Sequence, residues 1–351
     1  MDGRQTPLAS FLRRIGPPVL SLAALLLTTP LPAAEDSALA QLGERLFNDT
    51  GLSSTGTVSC ATCHDPARYF TDGRARAIGV ANQAGTRNAP SLFNVRYSDT
   101  LLWDGRFTSL ETQTALPLTS PIEHGLDSRG AVAHRVRSNA DYAHSFTRVL
   151  GISPEALAFE HVAQSLAAYQ RTLISRNSAF DRYDRTQEPS SLSPDALRGL
   201  QLFRGRAGCA ACHTLEGEPK MLSDGAFHTS PLPLPPVVTS NLAGLVSRVT
   251  KLAESGRRDE LDRLVGTDTQ IAALGHFVVT LDPHDIGKFR TPSLRNVTET
   301  APYMHDGSVA TLAEAIDLEI YSRGAVAYPI VLTSEEKAQL TAFLTALTSP
   351  R

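Results

Sequence analysis

Two short stretches decide how this chain is read: Cys60-Ala61-Thr62-Cys63-His64 and Cys209-Ala210-Ala211-Cys212-His213. Each is a C-x-x-C pair followed at once by histidine, the pattern by which c-type haem is attached. The two thiols bond the haem vinyl groups, and the adjacent imidazole reaches the iron from the proximal side. A zinc site is the main alternative, because C-x-x-C pairs also hold zinc. The immediate histidine, present twice, favours haem. These four are all the cysteines of the chain, so attachment of two haems leaves none for a disulfide.

The flanks of the two motifs repeat. Each is preceded by a helical segment ending in Leu-Phe, Gly43 to Phe47 and Gly199 to Phe203, and each is followed by a turn, Thr71-Asp72-Gly73 and Ser223-Asp224-Gly225. Further on, Arg87-Asn88-Ala89-Pro90-Ser91-Leu92-Phe93-Asn94-Val95 matches Arg290-Thr291-Pro292-Ser293-Leu294-Arg295-Asn296-Val297 with one residue of slip. These run into Trp103-Asp104-Gly105 and His305-Asp306-Gly307. Self-similarity in this order predicts two copies of one haem domain packed together. The expected organisation is a mainly α chain with two tandem cytochrome c-like domains, 35–190 and 191–351, related by internal duplication, with the haems on either side of the domain interface. The second copy carries a longer insertion, Thr229 to Asp285, whose Pro-rich start, Ser230 to Pro236, reads as a loop.

Periodicity supports helices. Ser193-Pro194 is a cap followed by a first helical residue, opening a helix to Phe203. Ser334-Glu335-Glu336 opens another, with Leu340, Phe343, Leu344 and Leu347 on one face. Phe159, Val162, Leu166, Tyr169 and Leu173 trace a third apolar stripe, expected to link the halves. Alternating strand patterns are scarce.

Residues 1–34 read as a signal peptide. Arg13 and Arg14 form the positive start, Val19 to Leu27 the short apolar stretch, and Pro30 to Ala34 the small-residue end. The apolar run falls short of the ~20 residues that span a bilayer, so no stable span is expected after cleavage, and the expected location is the periplasm. The length of 351 residues suits two domains. A net charge of −3 supplies no basic field for nucleic acid.

The stretches Thr86 to Leu92, Leu102 to Arg106, Phe289 to Val297 and Ala301 to Gly307, with the two haem motifs, resemble the bacterial di-haem cytochrome c peroxidase family, which includes MauG. The likeness covers nearly all of 36–349. It implies that the haem on His64 reacts with hydrogen peroxide, that the haem on His213 stores or relays electrons, and that Trp103 lies between them as a relay. Glu123 matches the family's distal-pocket glutamate, and Gln113 and Pro117 match its neighbours. A carboxyl there can take a proton from bound peroxide and return one to the departing oxygen if a partly dry pocket raises its pKa. Asn88, with the carbonyls of Thr300 and Pro302, matches the family's calcium site, an all-oxygen set that suits this ion.

Two departures from the classical peroxidases bear on function. Those enzymes place a blocking histidine sixteen residues after the first proximal one, where this chain has Val80. Valine cannot ligate iron, so the N-terminal haem is expected to be open at rest, with His124 as the nearby alternative blocker. They also place a methionine fourteen residues after the His-Asp-Gly histidine, where MauG has tyrosine. Here that position is Glu319, and Tyr321 follows two residues later. Either is a candidate sixth ligand of the C-terminal haem; Met304 and Met221 are further alternatives. An anionic oxygen ligand lowers a haem's potential relative to a thioether. The resemblance therefore implies a peroxidase fed by a small cytochrome c or cupredoxin. The alternatives are a MauG-like enzyme that oxidises tryptophans of a partner protein, such as a copper-binding periplasmic one, and a non-catalytic electron-transfer cytochrome.

Overall fold

A computed structural model describes residues 33–324 and 330–350. The expected signal peptide lies outside them except for Ala33 and Ala34, which begin the first helix. Helix α1 spans Ala33–Asn48, and α2 spans Phe159–Thr172. They pack on each other through Leu42, Leu46 and Phe47 on one side and Val162, Leu166 and Tyr169 on the other. The close approach depends on Gly43, where a Cβ would stand 1.9 Å from the Ser165 carbonyl oxygen and 2.9 Å from Tyr169 Cβ. The 159–173 stripe therefore closes the first core rather than linking the halves, because all five of its residues find their apolar partners there.

Helix α3, Pro194–Arg204, starts as expected, with the Ser193 side chain accepting from the Ala196 amide. It pairs with the C-terminal helix across a second core of Leu200, Phe203, Leu340, Phe343 and Leu344. Here Gly199 plays the part of Gly43. A Cβ on it would lie 1.9 Å from the Gln339 carbonyl oxygen and 2.9 Å from Phe343 Cβ.

Asn94 and Asn296 hold equivalent places in the two halves, and further bonds cross between the halves. Asn94 exchanges two hydrogen bonds of 2.9 Å with the backbone of Ser175. Asn296 accepts from the Ser349 amide at 2.9 Å and donates to Ser175 Oγ at 2.9 Å. The Ser175 and Ser349 hydroxyls meet at 2.8 Å. The Asn88 amide donates to His305 O at 3.0 Å, and the Arg290 amide donates to Trp103 O at 2.8 Å. The last two bonds mirror each other, each running from the repeated Arg-to-Pro stretch of one copy to the x-Asp-Gly turn of the other.

Two strands, β1 (Phe227–Thr229) and β2 (Lys288–Arg290), pair antiparallel and close the neck of the insertion. The Pro-rich start of the insertion is loop, with a short helix from Pro236. Beyond it come α4, Leu242–Glu254, and α5, Arg258–Thr267. These bury Leu245, Val249, Leu261, Val265, Ile271 and Phe277 in a third core of their own.

Two helices complete the second half. Helix α6 spans Leu312–Gly324 and α7 spans Ser334–Thr345. Helix α7 opens at Ser334 as expected, and its cap is Thr333. Its hydroxyl accepts from the Glu336 amide at 3.2 Å while the Glu336 carboxylate accepts from the Thr333 amide at 2.8 Å, a reciprocal capping box. Leu340, Phe343, Leu344 and Leu347 are all buried as the periodicity predicts. Among the described residues no helix is long and apolar enough to cross a membrane.

Candidate functional site

The two proximal histidines are held alike. His64 Nδ1 lies 3.1 Å from Phe70 O, and His213 Nδ1 lies 2.9 Å from Leu222 O. A carbonyl only accepts, so each Nδ1 carries the proton and each Nε2 keeps its lone pair for a metal. The carbonyl-bearing loops are pinned in turn, by Ser91 Oγ on Tyr69 O at 2.7 Å and by Ser293 Oγ on Met221 O at 2.6 Å. None of the four cysteines is in a disulfide.

A cavity of about 490 Å³ opens against the second motif. Cys209, Cys212 and His213 line it, with Phe203, Ile320 and Leu344 forming its apolar wall. It extends to Trp103, Asn88, Thr300 and Pro302, so residues expected to relay electrons and to hold calcium share one space with the C-terminal attachment site. Trp103 Nε1 donates to Asn88 O at 3.0 Å. Asn88 Nδ2 donates to Arg74 O at 2.8 Å, which turns the amide oxygen the other way. His305 stacks on Phe289 at 3.7 Å. Burial, and after it the Arg87 charge, push His305 down to about 4, so it is a neutral ring in this wall.

The two candidate sixth ligands separate on α6. Positions two apart on a helix point nearly opposite ways. Glu319 lines the cavity together with Leu312, Ala315, Ile316 and Ile320, whereas Tyr321 is 83% exposed. Met304 and Met221 also line it.

On the other side, Glu123 and Val80 stand together. The Val80 amide donates to Glu123 O at 3.0 Å, and Val80 is 3% exposed. Burial raises the Glu123 carboxyl above the usual glutamate range; the Arg106 charge and the Ser120 hydroxyl pull against it less strongly. The Glu123 charge also helps raise the Cys60 and Cys63 thiols of the first attachment motif, after the larger effect of burial. His124 is buried, with Nδ1 held 2.8 Å from Leu52 O. Gln113 ends the short helix Leu110–Gln113 and is half-buried.

Behind Trp103 lies a buried charge network. Asp104 is fully buried between Arg87 Nη1 at 2.8 Å and Arg106 Nε at 3.0 Å. Burial alone would raise its carboxyl, but the two guanidinium groups outweigh burial and hold it below the usual range. Arg106 continues to Asp262 of the insertion, at 2.9 Å from its carbonyl and 3.4 Å from its carboxylate.

Residues 37–189 match the family described as di-haem cytochrome c peroxidase. The chain is 34% identical over 322 residues to a cytochrome-c peroxidase, IdrP2, of Denitromonas iodatirespirans, covering 91% of this chain and 83% of that one. It is 34% identical over 312 residues to the methylamine utilization protein MauG of Methylorubrum extorquens, covering 87% and 77%. Among solved structures it superposes on a MauG-like protein associated with microbial copper homeostasis with a TM-score of 0.70, at 34% identity and 89% coverage of both chains. The chain belongs to the di-haem cytochrome c peroxidase family.

Membership makes it a peroxide-using oxidoreductase, and the family carries two c-type haems. The site fits that cofactor. Each motif offers two thiols and an imidazole with its Nε2 kept for a metal, and the second borders a large apolar cavity. The zinc alternative fits less well. The one cluster of metal-ligating side chains found among the described residues, Cys212, Asp224 and His228, takes a single thiol from one motif and leaves out its histidine. Two features of this di-haem peroxidase were not foreseen from sequence: the Asp104 network and the approach of the insertion to Glu123. A signal for the first was present, since Asp104 and Arg106 lie in one motif and Arg87 opens another. For the second there was none, because Gly266, at which a Cβ would lie 3.9 Å from Glu123 Oε1, is 143 positions from it and nothing local ties them.

Proposed function

We propose that the protein is a periplasmic di-haem oxidoreductase that reduces hydrogen peroxide beside His64 with electrons passed through Trp103 from the haem on His213. The observation that carries this reading is the pairing of Glu123 with Val80. A carboxyl whose pKa is raised by desolvation stands beside Val80, and Val80, which has no ligating atom, holds the position where the classical enzymes have a blocking imidazole.

Cys60, Cys63 and His64 would hold one haem, and Cys209, Cys212 and His213 the other, in two domains, 35–190 and 191–351, that arose by duplication. The matched Gly43 and Gly199 contacts and the equivalent Asn94 and Asn296 bonds support that origin. Once bound, the haems supply iron for the two-electron reduction of peroxide to water. Glu123 removes a proton from one peroxide oxygen and delivers it to the other, which leaves as water; Gln113 and Pro117 shape the same pocket. The second water takes two protons from solvent, and two electrons come from an external donor. Trp103 would be the relay; what supports this is that a residue of the first half borders the C-terminal cavity, with its indole N–H bonded to Asn88 O. Asn88 with the Thr300 and Pro302 carbonyls would hold calcium beside it.

Of the two candidate sixth ligands, Glu319 is assigned to the C-terminal haem, since it faces the cavity and Tyr321 faces solvent. This assignment favours a second reading, in which the enzyme spends its oxidising power on tryptophans of a partner protein. An anionic oxygen ligand suits a low-potential haem, and the chain is similar to a MauG-like protein associated with copper homeostasis.

Steady-state peroxide turnover with reduced cytochrome c or cupredoxin, after a ferric EPR spectrum, tests both. A high-spin signal with fast turnover supports the peroxidase. A high-spin signal with slow turnover and a covalent change in a co-purified partner supports the protein oxidase. Two low-spin haems inert to peroxide leave only an electron-transfer cytochrome.

A further inference from the structure

Gly266 occupies the second-last position of α5, in the insertion. Glycine weakens a helix interior relative to alanine, so its presence calls for a local cause. Backbone conformation is not that cause, since Gly266 is absent from the glycines with positive φ. Packing of the kind seen at Gly43 and Gly199 is not the cause either. A Cβ on Gly266 would meet a single atom within 4 Å, Glu123 Oε1 at 3.9 Å. The space that this glycine leaves is therefore the space beside the Glu123 carboxylate.

The helix end is held in that place by side chains from the first half of the chain. Thr86 Oγ1 donates to Val265 O at 2.8 Å, in a buried bond. Arg106 grips Asp262 through its carbonyl at 2.9 Å, and Arg87 Nη2 donates to Ala272 O at 2.6 Å. On the other face of α5, Leu261 and Val265 are buried in the insertion's own core. The helix end is thus fixed from both sides at this distance from Glu123.

We infer that the end of α5 roofs the pocket over Glu123 and that Gly266 determines the size of oxidant or ligand admitted there, passing hydrogen peroxide and holding back bulkier hydroperoxides as side-chain volume is added. The inference rests on the assignment of Glu123 to the peroxide pocket. It makes the insertion a selectivity element of a site whose other residues all come from the first half.

The test uses intact holoprotein carrying Gly266→Ala or Gly266→Leu. Cyanide is the small probe and imidazole the large one, each titrated against the ferric protein and read in the Soret band; hydrogen peroxide and tert-butyl hydroperoxide form the second small and large pair. In G266L, imidazole affinity and the tert-butyl hydroperoxide rate are expected to fall about tenfold or more, the scale on which pockets discriminate added bulk, while cyanide binding stays within about twofold. G266A should show the same order with a smaller effect and should melt no lower than the parent. Equal changes for small and large probes in both variants would overturn the inference and leave the pocket assignment standing. If G266L does not fold, G266A with the two hydroperoxides decides. Failure of the parent protein to bind either cyanide or imidazole would remove the pocket assignment and the inference with it.

Discussion

Glu123 has one backbone neighbour of note, Val80, and one charged neighbour, Arg106. Its raised pKa means that the folded protein loses the carboxylate form as pH falls through a value above the ordinary ~4.3. The carboxylate is the proton-accepting form, so the rate with peroxide should decline on the acid side of that raised value. Glu123→Gln should flatten this limb and lower the rate by ~10²–10⁴-fold, as read by stopped-flow mixing with peroxide. At Asp104 the sign is reversed. Its carboxyl is held below the usual range, so its stabilising effect is fully present above the unfolded value of ~3.9 and is lost as pH falls through the lower folded value. Asp104→Asn leaves Arg87 and Arg106 buried without their shared anion. It should cost ~3–5 kcal/mol of stability at neutral pH, measurable by denaturant unfolding, with the gap to the parent narrowing in acid.

The governing elements are the paired helices α1 with α2 and α3 with α7. Each pair closes around one glycine, and in each the nearest obstacle to a side chain is a carbonyl oxygen of the partner helix at 1.9 Å. Backbone cannot swing aside as a side chain can. Gly43→Ala and Gly199→Ala should each destabilise by ~1–3 kcal/mol through overpacking, seen as a lower melting temperature with both haems retained. The same reasoning separates the faces of α6. Glu319→Gln should shift the spectrum of the C-terminal haem, and Tyr321→Phe should not, since Tyr321 points to solvent.

For the molecule as a whole, the junction of the two cores is what turns two attachment sites into one enzyme. Trp103 and His305 occupy matching turns, and each offers its carbonyl to the opposite half, to Arg290 and Asn88 respectively. Trp103→Phe keeps an aromatic ring there but removes the indole N–H bond to Asn88. The expected result is a peroxide reaction of near-parent rate at the N-terminal haem with much slower re-reduction from the C-terminal one. Rapid-mixing spectra of the half-reduced protein would show it; equal rates of both steps would refute the relay.

The parts of this protein legible in its sequence are those set by neighbours along the chain. The C-x-x-C-His units, the Ser193-Pro194 helix start, the buried stripe of α7 and the repeated turns are all local patterns, because covalent spacing and helical period act over a few residues. The family itself was legible for the same reason, being carried by short motifs. What lay beyond the sequence were contacts between distant segments: that the 159–173 stripe closes the first core, that Asp104 balances two guanidinium groups, that Glu319 rather than Tyr321 faces the cavity, and that Gly266 lies over Glu123. Such contacts follow from how helices pack once apolar faces are buried, and packing joins residues by volume and charge without regard to their distance along the chain.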